Sequence, residues 1–229
     1  LLCEFAEGLP GYSLVLGRPS PGSLVMYFGI HGMGTAVLLF CIRGRSAFIR
    51  AKSPARCNDH LAESHFRTCV SSISCKPMIL MYFFGIYALS FAALVPRPVK
   101  GLEVVCLDVG QGDGLLLRTG KRAVLIDGGS SSQKKLGDIV LEPYLKSRGI
   151  SWIDYAVVSH GDSDHINGLM YLLEESKDIG IGTLVLPVMG KGEVVYENLA
   201  ALARREGADV VYMKTGDWVE IGELALTCL

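Results

Sequence analysis

The sequence predicts an α-helical membrane segment followed by an α/β domain. Of its 229 residues, 50% are hydrophobic and only 20% are charged, whereas soluble globular chains usually carry about 25% charged residues. Residues 1–95 hold eight basic and four acidic residues, and residues 96–229 hold the remaining 14 basic and 19 acidic ones. The second part alternates short strands with helices, as layered α/β or α+β domains do. The apolar content excludes a disordered chain, and the net charge of −1 provides no overall basic field for nucleic acid.

Two uncharged apolar runs predict transmembrane helices at about 24–42 and 78–95. The runs are 19 and 18 residues long. At about 1.5 Å per residue, each helix is about 28 Å long, close to the hydrocarbon thickness of a bilayer. Two buried core helices are the alternative, although core helices are usually shorter and carry a polar face. His31, within the first run, is expected to contact a neighbouring helix.

The segment between the two runs predicts their orientation. Residues 43–77 hold seven Arg or Lys and two acidic residues, and short basic loops remain in the cytoplasm. We therefore expect residues 96–229 to lie outside the cytoplasmic membrane. Four residues of metal-ligand type also occur in this loop: Cys57, His60, His65 and Cys69. The stretch lacks the apolar and aromatic residues that pack a small zinc module, so a solvated basic loop is favoured over a zinc site.

A stiff linker at Pro96–Pro98 separates the two parts of the chain. Beyond it, β-branched content predicts a strand at 102–108, and further strands are predicted at 114–118, 123–126, 153–159, 183–186 and 208–213, with a last hairpin at 217–229. Helices are predicted at 134–148, 165–176 and 193–206, and Gly149 and Gly207 end the first and third of them. Pro143 is expected to kink the first of these helices. Glycine-rich turns are predicted at 109–113 and after Asp127.

Potential metal ligands are densest between the predicted strand 153–159 and the next helix. His160, Asp162, Asp164 and His165 fall within six residues. Side chains at this spacing cannot share one face of a regular element, but a loop can fold them around a metal ion. Histidine and carboxylate together suit zinc or manganese. The alternative is a polar turn in which Asp162 or Asp164 caps the helix.

These residues resemble the His-x-His-x-Asp-His signature of the metallo-β-lactamase fold, with Asp162 in place of the second His. Together with Leu107-Asp108-Val-Gly-Gln-Gly-Asp113 and Leu125-Ile-Asp127-Gly-Gly129, they resemble the C-terminal domain of the ComEC family of DNA-internalisation competence proteins. The three motifs stand in the family's order and spacing. Leu9-Pro-Gly-Tyr and Arg18-Pro-Ser-Pro are similar to the end of the ComEC membrane region. The resemblance implies an αββα metallo-β-lactamase-like domain in residues 96–229.

The resemblance also implies two divalent metal ions, manganese or zinc, in a complete site. His160 and Asp162 would bind one ion, and Asp164 and His165 the second. Two ions about 3.5–4 Å apart can clamp a phosphodiester during its displacement.

Further acidic residues match the family's other motifs. Asp108 and Asp113 belong to the early motif and, with Asp164, are the catalytic candidates. Asp127 matches the acid at the end of the third strand, which orients the metal-binding loop from behind the ligands. A turn residue before Gly-Gly is the alternative for Asp127.

One departure from the family concerns the later ligands. No histidine follows His165, whereas the fold completes its sites with later His and Asp residues. Thr215-Gly-Asp217 imitates the bridging-Asp motif, but the residues after it predict a hairpin turn. We therefore expect a truncated domain that binds metal weakly and lacks activity by itself, within a parent protein that is active when complete.

The resemblance implies a multi-pass protein of the bacterial cytoplasmic membrane that takes part in DNA uptake. Its extracytoplasmic domain would be a metal-dependent phosphodiesterase or nuclease acting on one strand of incoming duplex DNA. Other competence proteins are expected partners. Two alternatives remain: a non-catalytic component of a DNA channel, and a membrane-tethered metallo-hydrolase with another substrate.

Overall fold

The computed structural model describes residues 15, 17–51, 76–95, 98–222 and 224–229. The chain divides into a helical unit, Pro19–Val95, and an α/β unit formed by Leu1–Arg18 with Pro96–Leu229. The alternative zinc site in the loop (Cys57, His60, His65 and Cys69) lies outside the described residues.

The helical unit contains the two helices that the apolar runs predict. Helix α1 spans Pro21–Ala51 and helix α2 spans Lys76–Leu94. Helix α1 continues past the predicted end at residue 42, because the arginines that follow are good helix formers. Within the described residues, no helix combines the length and the apolarity that crossing a membrane demands, so the transmembrane prediction is not confirmed.

Helices α1 and α2 meet through small and polar residues. The Tyr82 hydroxyl donates a hydrogen bond to the Gly34 carbonyl, and a Cβ atom on Gly34 would collide with the Tyr82 side chain. His31 Nε2 lies 3.0 Å from the Oγ of Ser90, which is only 2% exposed. His31 is therefore a helix-contact histidine, as predicted.

The α/β unit is built on a six-stranded mixed sheet. Strands β1 to β6 are adjacent in chain order; β1, β2 and β3 are antiparallel, and β3 to β6 are parallel. The strands span Val99–Cys106, Gly114–Gly120, Arg122–Asp127, Trp152–Val157, Gly180–Pro187 and Asp209–Met213. Helices α3 (Glu142–Ser147), α4 (Ser163–Glu174) and α5 (Val194–Arg205) connect the parallel strands. The predicted terminal hairpin forms as β7 (Trp218–Ile221) and β8 (Leu224–Thr227).

The predicted helix at 134–148 differs from the structure. Residues Gly137–Leu141 form a π-helical turn, and only Glu142–Ser147 are α-helical. Pro143 has no N–H to donate to the carbonyl four residues earlier, so a regular helix through it would lose a hydrogen bond, and a wider turn before it accommodates the proline. Gly137 is required here because a Cβ atom would collide with Tyr171 of α4.

The core lies between the sheet and its helices. Leu125, Ala156 and Leu184 of neighbouring strands are 0% exposed, and Leu145 and Leu169 of the helices are at most 1% exposed. Burying one such leucine side chain contributes about 1.5–3 kcal/mol. This packing holds the parallel strands in a fixed order, so the loops after β3 and β4 lie at one edge of the sheet.

The pairing of β3 with β4 is fixed at its starting edge by Asp154. Its carboxylate accepts a hydrogen bond from the Ala123 amide at 2.9 Å and forms an ion pair with Arg122 at 2.5 Å. The same hydrogen bond and charge raise the pKa of the Arg122 guanidinium. At the other edge, the register pairs Ile126 with Val157, which brings the residues that follow these strands side by side.

Candidate metal centre

Three loops meet at the carboxyl edge of β3 and β4, and backbone hydrogen bonds join them. The Asp113 amide donates to the Asp164 carbonyl at 3.2 Å, and the Gly129 amide donates to the Asp113 carbonyl at 3.1 Å. The Gly128 amide donates to the His165 carbonyl at 2.9 Å. The loops after β1 and β3 therefore hold the first turn of α4 directly.

Two glycines allow this close approach. A Cβ atom on Gly129 would collide with the backbone of Asp164 and His165, and one on Gly112 would collide with the Gly129 carbonyl oxygen. The Gly-Gln-Gly-Asp and Asp-Gly-Gly motifs thus have a steric role, because no larger residue fits where backbone meets backbone.

His160, Asp164 and His165 form the centre of the site. Each offers one ligand atom, and these atoms lie within 4.8 Å of one another. Their exposure differs, since His165 is 7% exposed whereas the His160 side chain is 48% exposed. The cluster is therefore anchored on the core side and open on the other, and it is the one group of this kind within the described ranges.

Two more carboxylates lie at the rim of this cluster. Asp162 Oδ2 is 3.6 Å from His160 Nε2, and Asp113 Oδ2 is 3.6 Å from His165 Nε2. Both side chains are exposed, by 80% and 72%. Asp108 is exposed in the loop after β1 and lies outside the three-residue cluster.

The structure also bears on the alternative in which an aspartate only caps the helix. Asp162 stands at the N-cap of α4, but its side chain makes no capping hydrogen bond, and Asp164 lies in the first turn. In the Thr-Gly-Asp sequence that imitates the bridging-Asp motif, Asp217 Oδ2 accepts a hydrogen bond from the Lys214 amide at 3.0 Å. Asp217 is thus a turn residue before the hairpin, as the residues around it predict.

Asp127 lies behind the cluster and is 5% exposed. Its carboxylate accepts hydrogen bonds from the Ser159 amide at 2.8 Å and the Ser159 hydroxyl at 2.7 Å. Oδ2 is also 3.1 Å from His165 Nδ1. An ionised carboxylate only accepts hydrogen bonds, so in the neutral ring of His165 the proton lies on Nδ1 and the lone pair on Nε2.

The arrangement of charges fits a divalent cation. Nε2 of His165 faces Oδ2 of Asp113 at 3.6 Å and Oδ2 of Asp164 at 3.9 Å. Those distances are too long for hydrogen bonds, and a lone pair facing carboxylates is repulsive, so this side of the neutral ring suits a positive charge, either a proton or a metal cation. Two imidazoles and a carboxylate are donors that zinc and manganese accept, so His160, Asp164 and His165 are the residues that could hold the metal.

Polar residues to which the sequence alone assigns no role support this loop. Ser159 contacts Asp127, and Asn167 clamps Ser130: its Oδ1 accepts from the Ser130 amide at 3.0 Å, and its Nδ2 donates to the Ser130 carbonyl at 2.6 Å. Their position next to the signature is the only signal in the sequence. Serine and asparagine are so common in turns that this signal is weak.

Comparisons with known proteins agree with this geometry. Residues 107–226, just over half of the chain, match the model of the Metallo-beta-lactamase superfamily. Residues 42–79 match a family of unknown function, DUF6783.

Three curated relatives carry names linked to competence or recombination. ComE operon protein 3 of Bacillus subtilis is 33% identical over 53% of this chain and 17% of its own length. Recombination protein 2 of Haemophilus influenzae is 31% identical over 46% of this chain and 14% of its own. Competence protein ComA of Neisseria gonorrhoeae is 37% identical over 31% of this chain and 10% of its own length. The matches thus span less than a fifth of these relatives, and they confirm the resemblance to the competence family.

Solved structures give weaker likenesses. YhfI of Bacillus subtilis, a metallo-beta-lactamase fold protein, is 18% identical with a TM-score of 0.39, over 57% of this chain and 53% of that one. Rubredoxin oxygen:oxidoreductase of Desulfovibrio gigas is 17% identical with a TM-score of 0.38, over 57% and 34%. Sequence motifs, the loop that carries them and the family match all converge on one assignment: this chain belongs to the metallo-beta-lactamase superfamily.

Proposed function

We propose that this chain is part of a competence-type DNA-uptake protein whose α/β unit is a metal-dependent phosphodiesterase or nuclease. The observation that carries the proposal is the cluster of His160, Asp164 and His165, with ligand atoms within 4.8 Å of one another. The competence-protein relatives support a role in DNA uptake, and DNA is therefore the proposed substrate. A complete site would hold two zinc or manganese ions, with Asp162 contributing beside His160.

Each residue of the site would have its own role in the reaction. His160, Asp164 and His165 hold the metal, and Asp127 keeps the Nε2 lone pair of His165 available. The bound metal supplies Lewis-acid stabilisation of charge on a phosphodiester. Asp113, exposed beside His165, is placed to accept a proton from an attacking group. Asp108, in the same loop after β1, is the remaining catalytic candidate.

The substrate and partners follow from the relatives rather than from this chain. We infer that the domain acts on one strand of incoming duplex DNA and works with other competence proteins at a membrane. The first turn of α4 lies at the same edge as the cluster, and the positive end of its helix dipole favours a phosphate.

We propose a position in the bacterial cytoplasmic membrane, with residues 96–229 outside the cytoplasm. The two uncharged runs and the seven basic residues of 43–77 support this topology. Cys106 is exposed on β1, so its labelling in whole cells tests the topology. In a parent protein with Cys106 as the sole cysteine, a membrane-impermeant maleimide should react with intact cells, and reaction only after lysis would contradict the topology.

The catalytic proposal is tested in the longer parent protein. His160→Ala should abolish Mn²⁺- or Zn²⁺-dependent cleavage of DNA, while Asp209→Asn, an exposed position on β6, should leave cleavage at the level of the unmodified parent. Cleavage that survives His160→Ala would refute the proposal.

A non-catalytic channel component is the second candidate. The 80% exposure of Asp162, where the signature has its second His, favours it because the described cluster then has only three ligands. In that case, the unmodified parent should cleave neither DNA nor a simple phosphodiester such as bis-p-nitrophenyl phosphate, and His160→Ala should leave DNA uptake unchanged. Cleavage of the simple ester without cleavage of DNA would indicate a metallo-hydrolase with another substrate.

A further inference from the structure

Ser159 lies between Asp127 and both histidines of the cluster. Its Oγ is 2.7 Å from Asp127 Oδ2, 3.1 Å from His160 Nδ1 and 3.4 Å from His165 Nδ1. Its amide also donates to Asp127 Oδ1 at 2.8 Å. Because backbone and side chain both bind the same carboxylate, the hydroxyl has little freedom to point elsewhere.

Counting protons decides the direction of each hydrogen bond. The hydroxyl has one proton, and the short contact to the carboxylate takes it because Asp127 can only accept. Ser159 Oγ can then only accept from His160, so the proton of the neutral His160 ring is on Nδ1. The lone pair of His160 is therefore on Nε2, the atom that faces Asp162 at 3.6 Å.

His160 and His165 differ in how they reach Asp127. His165 is buried and contacts the carboxylate directly at 3.1 Å. The half-exposed His160 side chain reaches Asp127 through the Ser159 hydroxyl. One buried carboxylate thus orients both imidazoles, and the serine extends its reach to the second.

We propose that Ser159 is a positioning residue that holds His160 as the Nδ1–H tautomer and so presents Nε2 to the metal. The inference rests on the proposed metal-dependent function. Residues that orient metal ligands typically contribute about 10–100-fold to metal affinity. The contact between Ser159 and His160 is accessible to water, which competes for the hydrogen bond, so the expected loss for Ser159→Ala is near the lower end, about tenfold.

Two measurements on the full chain test this inference. Long-range ¹⁵N NMR of the imidazoles, without metal and at constant pH, reports which nitrogen of His160 carries the proton; His160→Gln identifies the signal. Calorimetric titration with Zn²⁺ reports affinity. Ser159→Ala should shift His160 toward a mixture of tautomers and weaken Zn²⁺ binding about tenfold. Ser159→Thr, which retains the hydroxyl, should restore both properties.

Ser147→Ala is the matched control, because it removes a serine hydroxyl that donates to the Tyr144 carbonyl at 2.7 Å on α3. Ser147→Ala should change neither the tautomer of His160 nor the affinity for Zn²⁺. The inference is overturned if His160 remains Nδ1–H in Ser159→Ala, or if a folded Ser159→Thr behaves like the alanine variant. If the unmodified chain binds no Zn²⁺, the proposed function fails, while the NMR measurement without metal still decides the role of Ser159.

Discussion

Replacing Asp127 by Asn should distinguish the effect of this residue on Zn²⁺ affinity from its effect on the free energy of unfolding. The side chain is 7% exposed and serves two donors of Ser159 and one of His165. Asparagine has nearly the same shape and tolerates the positive φ of 56° at this position. The substitution therefore changes the hydrogen-bond chemistry with little strain.

The expected magnitude follows from these contacts. A hydrogen bond to a charged group is worth about 1.5–3 kcal/mol and a neutral one about 0.5–1.5 kcal/mol, so three weakened bonds cost about 3 kcal/mol. Part of this is recovered because an amide is easier to bury than a carboxylate. We expect a loss of about 1–3 kcal/mol in the free energy of unfolding.

The effect on metal binding should be of a different kind. Where the Asn side chain turns its NH₂ group toward His165, this group donates a hydrogen bond and Nδ1 must accept it. The proton of the neutral ring then moves to Nε2. Zn²⁺ affinity measured by calorimetry should then fall about 10–100-fold.

Asp154→Asn provides the matched control for Asp127→Asn. Asp154 is similarly buried, with a 9% exposed side chain, and it also accepts a backbone amide, but it lies at the other edge of β3 and β4. It should lower stability in urea unfolding and leave Zn²⁺ affinity unchanged. Asp127 does not orient the metal ligand if Asp127→Asn retains its Zn²⁺ affinity, or if both variants lose affinity in proportion to their loss of stability.

Three other predictions concern metal, packing and pH. Zn²⁺ at 100 times its dissociation constant should raise the free energy of unfolding by about 2.7 kcal/mol; Asp164→Ala should abolish this shift, and a chelator should reverse it. Gly129→Ala should cost more than about 3 kcal/mol because its Cβ would collide with the backbone of α4, whereas Gly192→Ala, which has open space around it but a φ of 93°, should cost about 1–2 kcal/mol; equal losses in urea unfolding would contradict the packing described. Hydrogen bonds to Asp178 and Glu142 raise the pKa of Lys146 to about 12 from 10.5, so its stabilisation is complete below pH 10.5 and is lost as pH rises through 12. Because Lys146 is 38% exposed, Lys146→Met should lose less than about 1 kcal/mol at pH 8, and the difference from the unmodified chain should vanish above pH 12.

Most elements could be predicted because their signals are local. The strand at 114–118, which follows a glycine-rich turn, and the helix at 193–206, which Gly207 ends, are found nearly at their predicted positions. Pro143 predicts an irregularity in this helix, but the π-helical turn could not be predicted, because it also depends on the close approach of Gly137 to Tyr171, a residue far along the chain.

The site shows the same division between local and distant information. The signature identifies His160 and His165, since their spacing is visible in one loop. The role of Ser159 depends on Asp127, which is 32 residues earlier and becomes its neighbour only when β3 pairs with β4. Likewise, the closeness of Gly129 to Asp164 is a property of the folded backbone and leaves no periodic pattern.

The two aspartates at opposite ends of β3 and β4 have a mechanical consequence. Asp154 of β4 binds the amide of Ala123 in β3, and Asp127 of β3 binds the amide of Ser159 just after β4. A slip of one residue would turn each carboxylate to the opposite face of the sheet, so both bonds would break together with the ladder between them. A load pulling these strands along their length would therefore meet its resistance at both ends at once, and the loop that follows β4 would be among the last parts of the sheet to lose its alignment.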